Sequence, residues 1–169
     1  LLRTRQVDLD YHVRYTNAHW LVIDEGSSAD AGLFARDDKG KPLCFDKKSG
    51  ALANATQPDI APALVGEFKL ADGRIARPSF QLLAARYLGE DYTPEKAEAA
   101  TGIAAATIRR IAAELADTAF RQQIELDIPS TDTHGRRHDK TTGRPVSMHA
   151  MRGISAHSNG FQTCRLLHI

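Results

Sequence analysis

Cysteine is scarce: Cys44 and Cys164 stand far apart, with no Cys-x-x-Cys. That excludes a zinc site or an iron–sulfur cluster built on a local cysteine motif, and it predicts two unpaired thiols behaving as small hydrophobes. Long apolar runs are missing as well; none approaches the roughly 18 residues needed to span a bilayer. The opening Leu1-Leu2-Arg3-Thr4-Arg5 lacks the apolar stretch of a signal peptide. Charge of one sign is absent too. With 22 basic and 21 acidic residues the formal net charge is +1, so no whole-chain field exists to hold a polyanion. Nucleic-acid binding would need a local basic patch.

What is present is ordinary for a globular protein: 169 residues, 42% hydrophobic and 25% charged, enough for one modest domain with a core. The two ends read as cuts. No initiator Met is present, and the apolar helical pattern of Phe161, Cys164 and Leu167 runs to Ile169 with no closing Gly, Asn or Pro. The expectation is an internal fragment of a longer polypeptide.

The pattern along the chain divides it into three segments, 1–76, 77–118 and 119–169. The first is loop-rich. Trp20-Leu21-Val22-Ile23 reads as a short buried strand, and the glycines and prolines between 24 and 63 read as turns. Residues 32–36 and 42–46 flank the polar tip 37–41 as one hairpin. A second is expected over 65–75 with its turn at 71–74. The second segment is helical, over about 78–117. After Pro78, residues 79–88 put Phe80, Leu83, Ala84 and Tyr87 on one face, and Gly89 ends the helix. Thr93-Pro94-Glu95 supplies a cap, a first-turn proline and an acid for the dipole of a short helix that stops at Gly102. A third helix follows over 105–117, with Ile108, Ile111, Ala112 and Leu115 in phase. In the third segment, 124–128 and 146–151 read as strands. The polar stretch 130–143 reads as a loop, and with 24–63 it is expected to be the least ordered part.

Four patterns could carry chemistry. Ala97, Thr101, Gly102 and Ile103, followed by Thr107-Ile108-Arg109-Arg110, have the spacing of a DNA-binding helix-turn-helix. The second helix, however, opens on Ala104-Ala105-Ala106, which has nothing to offer base edges. His134 and His138 are four apart, but Gly135 between them argues against the helix that would put both on one metal. Ser155 and His157 are sequence neighbours rather than a triad, and Gly-x-Ser-x-Gly is absent. The fourth is the strand-loop-helix at 146–169. A Gly/Ser/Asn-rich turn opening a helix presents backbone N–H groups at a positive helix end, which suits phosphate groups of a nucleotide-like cofactor. Arg152, Gly153, Ser155, His157, Ser158, Asn159 and Gly160 are the candidate cofactor-binding residues. No catalytic residue and no metal ligand is assigned.

Three stretches in order carry a resemblance: Tyr15-Thr16-Asn17-Ala18 with Trp20-Leu21-Val22; Tyr92-Thr93-Pro94-Glu95-Lys96-Ala97 through Thr101-Gly102-Ile103 to Ile108-Arg109 and Ile111-Ala112; and Gly143-Arg144-Pro145-Val146 with 149–160. Together they resemble an internal part of the catalytic subunit of molybdopterin oxidoreductases of the dimethyl-sulfoxide-reductase family. The resemblance implies an α/β framework with short strands and long irregular loops, whose neighbouring strands lie outside the chain. It implies a molybdopterin guanine dinucleotide cofactor with Mo and a 4Fe–4S cluster in the intact parent. Its partners would be the rest of the catalytic subunit, together with an iron–sulfur electron-transfer subunit, a membrane anchor subunit, and no nucleic acid. The implied activity is electron transfer to or from a small inorganic or oxyanion substrate. The implied compartment is the cytoplasm, or the periplasm if the parent carries an export signal upstream. The chain alone is expected to be inactive and to hold neither Mo nor iron. The alternative is a small helix-turn-helix DNA-binding or interaction module.

Overall fold

In the computed structural model, residues 1–132, 135–147, 153 and 156–167 are described. The chain forms two compact units, residues 1–110 and 111–169, and each is taken by itself.

The first unit is built around strand β1 (Leu21–Ile23), where the expected buried run lies. Leu21 and Ile23 point inward with the period of two that a strand imposes, and Val22 between them is only half-buried. β1 pairs antiparallel with β5 (Ile75–Pro78), and β5 pairs antiparallel with β4 (Phe68–Lys69). The β4–β5 hairpin closes where Ala71-Asp72-Gly73-Arg74 predicted it: Leu70 N–H donates to the Arg74 carbonyl, and Gly73 N–H to that of Leu70. The core is Leu21, Ile23, Ala35, Leu70 and Ala76, packed around by Leu43, Leu52 and Phe68.

The loop-rich stretch holds more pairing than its turn residues suggest. The tip 37–41 folds back as expected, with Arg36 bridged to Pro42, but the flanks make single bridges rather than strands. The larger hairpin is one that sequence reasoning missed, β2 (Leu43–Asp46) against β3 (Ala51–Asn54), turning at residues 47–50. A helix was also missed in the opening segment, α1 (Leu9–Tyr15), whose N-terminus is capped by the Asp8 carboxylate accepting from Tyr11 N–H.

Helix α2 (Ser79–Leu88) has the expected bounds and grows out of β5 with no loop between. Its first two amides find partners outside the helix: Ser79 N–H donates to the Trp20 carbonyl and Phe80 N–H to that of Ala18. The expected apolar face is not covered within the described residues, since Leu83 and Tyr87 stay about half exposed. Helix α3 (Pro94–Thr101) is capped by Thr93, which accepts from Lys96 N–H, and ends at Gly102 in the left-handed conformation, φ 74°. Helix α4 (Ala105–Arg121) runs four residues past its expected end at 117, because Thr118, Ala119 and Phe120 carry no breaker.

The second unit corrects the reading of 130–143 as a loop. β6 (Ile124–Leu126) pairs with β9 (Thr141–Gly143), and β7 (Ser130–Thr131) with β8 (Arg137–His138), all antiparallel. β6 alternates apolar and polar residues, as its reading as a strand expects, but β7, β8 and β9 carry no apolar alternation that announces them. The turn is fixed by Asp132, whose carboxylate accepts from Arg136 N–H and Nε. β6 is shorter than the expected 124–128. The strand expected over 146–151 is not found at 146–147, and the rest of it lies outside the described residues. Helix α5 (Gly160–Leu167) follows. The chain is thus mixed helix and short strand, as expected of an α/β fragment, and every described pairing is antiparallel.

Candidate functional site

The expected cofactor loop is only partly described. Arg152 and Ser155 lie outside the described residues; Gly153 is exposed, as are His157, Ser158 and Asn159, while Gly160 is buried at the opening of α5. The Gly160 amide is taken by the His157 carbonyl at 2.8 Å, and Thr163 N–H returns to the Asn159 carbonyl at 3.0 Å. The next two amides, of Phe161 and Gln162, have no acceptor inside the helix by α-helical geometry. His134 lies outside the described residues, and His138 sits on β8, where its Nε2 is 3.2 Å from the Asp132 carboxylate. Among the described residues no group of three or more His, Cys, Asp or Glu side chains could hold a metal. Cys44 and Cys164 are free thiols, as expected. Burial, with the Asp46 charge beside it, pushes the Cys44 thiol up to about 11, which keeps it protonated and inert.

Among the described residues another site lies between the turn after α1 and the loop 55–62. Asn17, Ala18, His19 and Trp20 form a turn closed by Trp20 N–H to the Asn17 carbonyl at 2.9 Å, and the α2 amides described above bond to its carbonyls. Ser79 Oγ adds a bond to the Asn17 carbonyl at 2.7 Å. This places His19 inside, 5% exposed. Its Nε2 lies 3.1 Å from the Ala55 carbonyl. A carbonyl can only accept, so Nε2 carries the hydrogen, and in the neutral ring Nδ1 is left with a bare lone pair. Nδ1 is buried and has no hydrogen-bond partner.

The opposite wall is held by Asp46. Its carboxylate accepts from Ala61 N–H (2.9 Å), Lys48 N–H (3.1 Å), Ser49 N–H (3.1 Å) and Ser49 Oγ (2.8 Å). Those donors, that of Ala61 first, hold the carboxyl down at about 2, well below its ordinary range. The loop is further bound along β2 by Lys47 N–H to the Ala61 carbonyl and Ala63 N–H to that of Phe45, both at 2.9 Å. Lys48 Nζ reaches the Asp59 carbonyl at 2.5 Å. Between the two walls is a cavity of about 370 Å³, lined by Arg14, Thr16, His19, Thr56, Gln57 and Asp59 among apolar neighbours that include Trp20 and Ile60. Its size is in the range of small-molecule pockets.

The chain is 48% identical to a sulfite dehydrogenase subunit from Allochromatium vinosum. The match takes in 95% of this chain and 17% of that protein, so the chain spans about a sixth of the relative's length. No protein-family model matches the chain. The expected assignment to the dimethyl-sulfoxide-reductase family is corrected accordingly: the likeness found is to a subunit of sulfite dehydrogenase, and no match places the chain in that family. The three stretches behind that assignment are short, and short helix and loop patterns recur across unrelated chains.

The helix-turn-helix pattern at 97–110 does form helices on either side of a left-handed glycine. The opening of α4 is occupied from within, however: the Glu98 carboxylate accepts from Ala105 N–H at 2.9 Å. A carboxylate at that helix end sets negative charge where a DNA phosphate would have to come. Sequence reasoning passed over His19, which falls in the gap between Ala18 and Trp20 in the first of the three stretches. No spacing marks a lone histidine; only the later pairing with Ala55 reveals it.

Proposed function

We propose that the chain is an internal section of the catalytic subunit of an oxidoreductase that takes electrons from sulfite. The observation that supports this reading is the 48% identity to a sulfite dehydrogenase subunit, sustained over 95% of the chain. Oxidising sulfite to sulfate adds one oxygen atom from water and releases two protons and two electrons, which need a redox centre. This section has little to offer as one: Cys44 is buried with its thiol held protonated, and Cys164 has no sulfur partner. Its part is therefore to bind and position.

In this reading a molybdopterin guanine dinucleotide with Mo supplies the two-electron chemistry when bound, and a 4Fe–4S cluster elsewhere in the polypeptide carries electrons onward. The described part of the cofactor loop suits a pyrophosphate in its chemistry. Ser158 and Asn159 offer exposed donors at a positive helix end, and His157 stands beside them. Arg152, Gly153 and Ser155 complete the proposed contact, and Gly160, buried with its own amide bonded to the His157 carbonyl, shapes the turn. The proposed partners are the remainder of the catalytic polypeptide, an iron–sulfur subunit, and a membrane anchor subunit; the proposed compartment is the cytoplasm. Among the described residues no helix is long and apolar enough to cross a membrane. DNA binding is the weaker reading, because Glu98 closes the helix end that would meet the backbone.

The test is sulfite-dependent reduction of ferricyanide by the purified intact protein that contains this section, with Mo measured on the same sample. Dye reduction that needs sulfite and scales with Mo content is expected. Mo-loaded protein that leaves ferricyanide oxidised at saturating sulfite refutes the proposal.

A further inference from the structure

Resting on the reading of the chain as a section of a longer polypeptide, we infer that one face of the β6–β9 ribbon is an interaction surface. Its partner is an apolar surface of the remaining part of that polypeptide, packed against Ile124 and Leu126. The sequence here alternates, Ile124-Glu125-Leu126-Asp127-Ile128. In a strand that alternation sends Ile124 and Leu126 to one face and Glu125 to the other. The register completes both faces: Gly143 stands opposite Ile124, Thr141 opposite Leu126, and Thr142 opposite Glu125.

The two faces are built for different surroundings. On one, Lys140 Nζ lies 2.7 Å from the Glu125 carboxylate and 3.4 Å from that of Asp127, so the charges are paired and suited to water. The other face is chiefly hydrocarbon. Ile124 is 44% and Leu126 46% exposed, and Ile128, just beyond the strand, is 57% exposed. The Thr141 hydroxyl is turned to the Ile128 carbonyl at 2.7 Å, and Gly143 adds no side chain, with open space where a Cβ would stand. Apolar on one side and polar on the other is the pattern of a sheet packed on one face and wet on the other. The β7–β8 ribbon gives the contrast: Ser130, Thr131, Arg137 and His138 put no apolar side chain on either face, which suits a ribbon that stays in water.

A two-stranded ribbon is marginal in water by itself and gains its stability from what packs on it. The sulfite dehydrogenase subunit shows how much further chain such a protein has: the match takes in 17% of it, so about five-sixths of its length lies elsewhere. A second copy of this chain is the poorer occupant. Stable association of separate chains buries roughly 800 Å² on each partner, and two strand side chains with Ile128 fall well short of that. A segment of the same polypeptide needs no such area, because its tether holds it at high effective concentration. The occupant carries no charge where it meets Leu126, since a charge there would be buried without a partner.

Two measurements on the intact polypeptide test it. Photo-leucine incorporated in place of leucine leaves the packing nearly unchanged, and after irradiation the cross-links from Leu126 are mapped by mass spectrometry. They are expected to land in peptides outside these 169 residues. Thiol labelling gives the second readout: Leu126→Cys should react with a maleimide at least about a hundredfold more slowly than Asp127→Cys, whose side chain is 89% exposed. Equal labelling rates overturn the inference. So does a Leu126 that yields no cross-link leaving the section, or that cross-links only to a second copy or within the section. The photo-leucine arm still decides the matter if Leu126→Cys fails to fold. Neither readout involves turnover, so a protein that oxidises sulfite with Leu126 open to reagent sinks this inference alone, and one that shields Leu126 without oxidising sulfite sinks only the functional reading.

Discussion

Leu21 is the side chain whose loss should cost the first unit most. It is fully buried, and its neighbours in the core include Ala35 and Ala76, which have no side-chain torsions with which to fill a gap. Leu21→Ala removes three carbons from a place that cannot collapse. Buried Leu→Ala changes span roughly 2.7–5 kcal/mol, and the cost rises with the volume left empty. The rigid alanine floor puts this site in the upper part of that range, about 3.5–5 kcal/mol. At roughly 4 °C per kcal/mol for a unit near 110 residues, the transition should fall by about 14–20 °C. Urea unfolding followed by fluorescence suits the measurement, because Trp20 is the single tryptophan and stands edge-on to Phe34 with ring centroids 5.1 Å apart. Leu33→Ala is the control: Leu33 is 59% exposed and should change stability by no more than about 0.5 kcal/mol. A Leu21→Ala cost below about 1 kcal/mol would show that the core is not organised around this strand.

Other outcomes follow from single groups. The Asp46 carboxyl is held at about 2, below its value in an unfolded chain, so its stabilisation is present above the ordinary carboxylate range and lost as pH falls through about 2. Asp46→Asn should remove that step from an acid titration followed by circular dichroism, and should loosen 60–62 in hydrogen exchange. Gly102→Ala should destabilise by about 1 kcal/mol in thermal unfolding, because φ is +74° while the space around it is open, so the strain is backbone alone. Cys44 should resist a thiol reagent at neutral pH in the folded chain and react on unfolding, while the less buried Cys164 reacts first. Equal rates for the two would show that Cys44 is not buried.

The helical part was legible in the sequence because its signals are local. Pro78 before α2, Thr93 with Pro94 at the start of α3, and Gly102 at its end each act on the residues beside them. The β1 run and the turn at 71–74 were legible for the same reason. The hairpin of β2 and β3 was hidden among turn residues, since Gly50 and the lysines before it read as loop. The strands within 130–143 were hidden because Ser, Thr, Arg and His pair there without burying an apolar face. The cavity depends on contacts between residues that are distant in sequence, His19 with Ala55 and Asp46 with Ala61, and no local pattern encodes such pairs. The predicted cofactor loop was a local pattern, and its described portion does lie at a helix opening.

The order of pairing in the first unit has a consequence for how it assembles. β2 with β3 and β4 with β5 are joined by tight turns, so each can zip up within microseconds on local contacts. β1 joins β5 only by closing the chain from residue 21 to residue 78, and that closure must be met before Leu21 finds its neighbours. The last steps of folding are therefore the docking of β1 and the seating of α2 on the 17–20 turn, which also bring His19 beneath the loop that receives it. The cavity beside His19 exists only once the slowest contacts have formed.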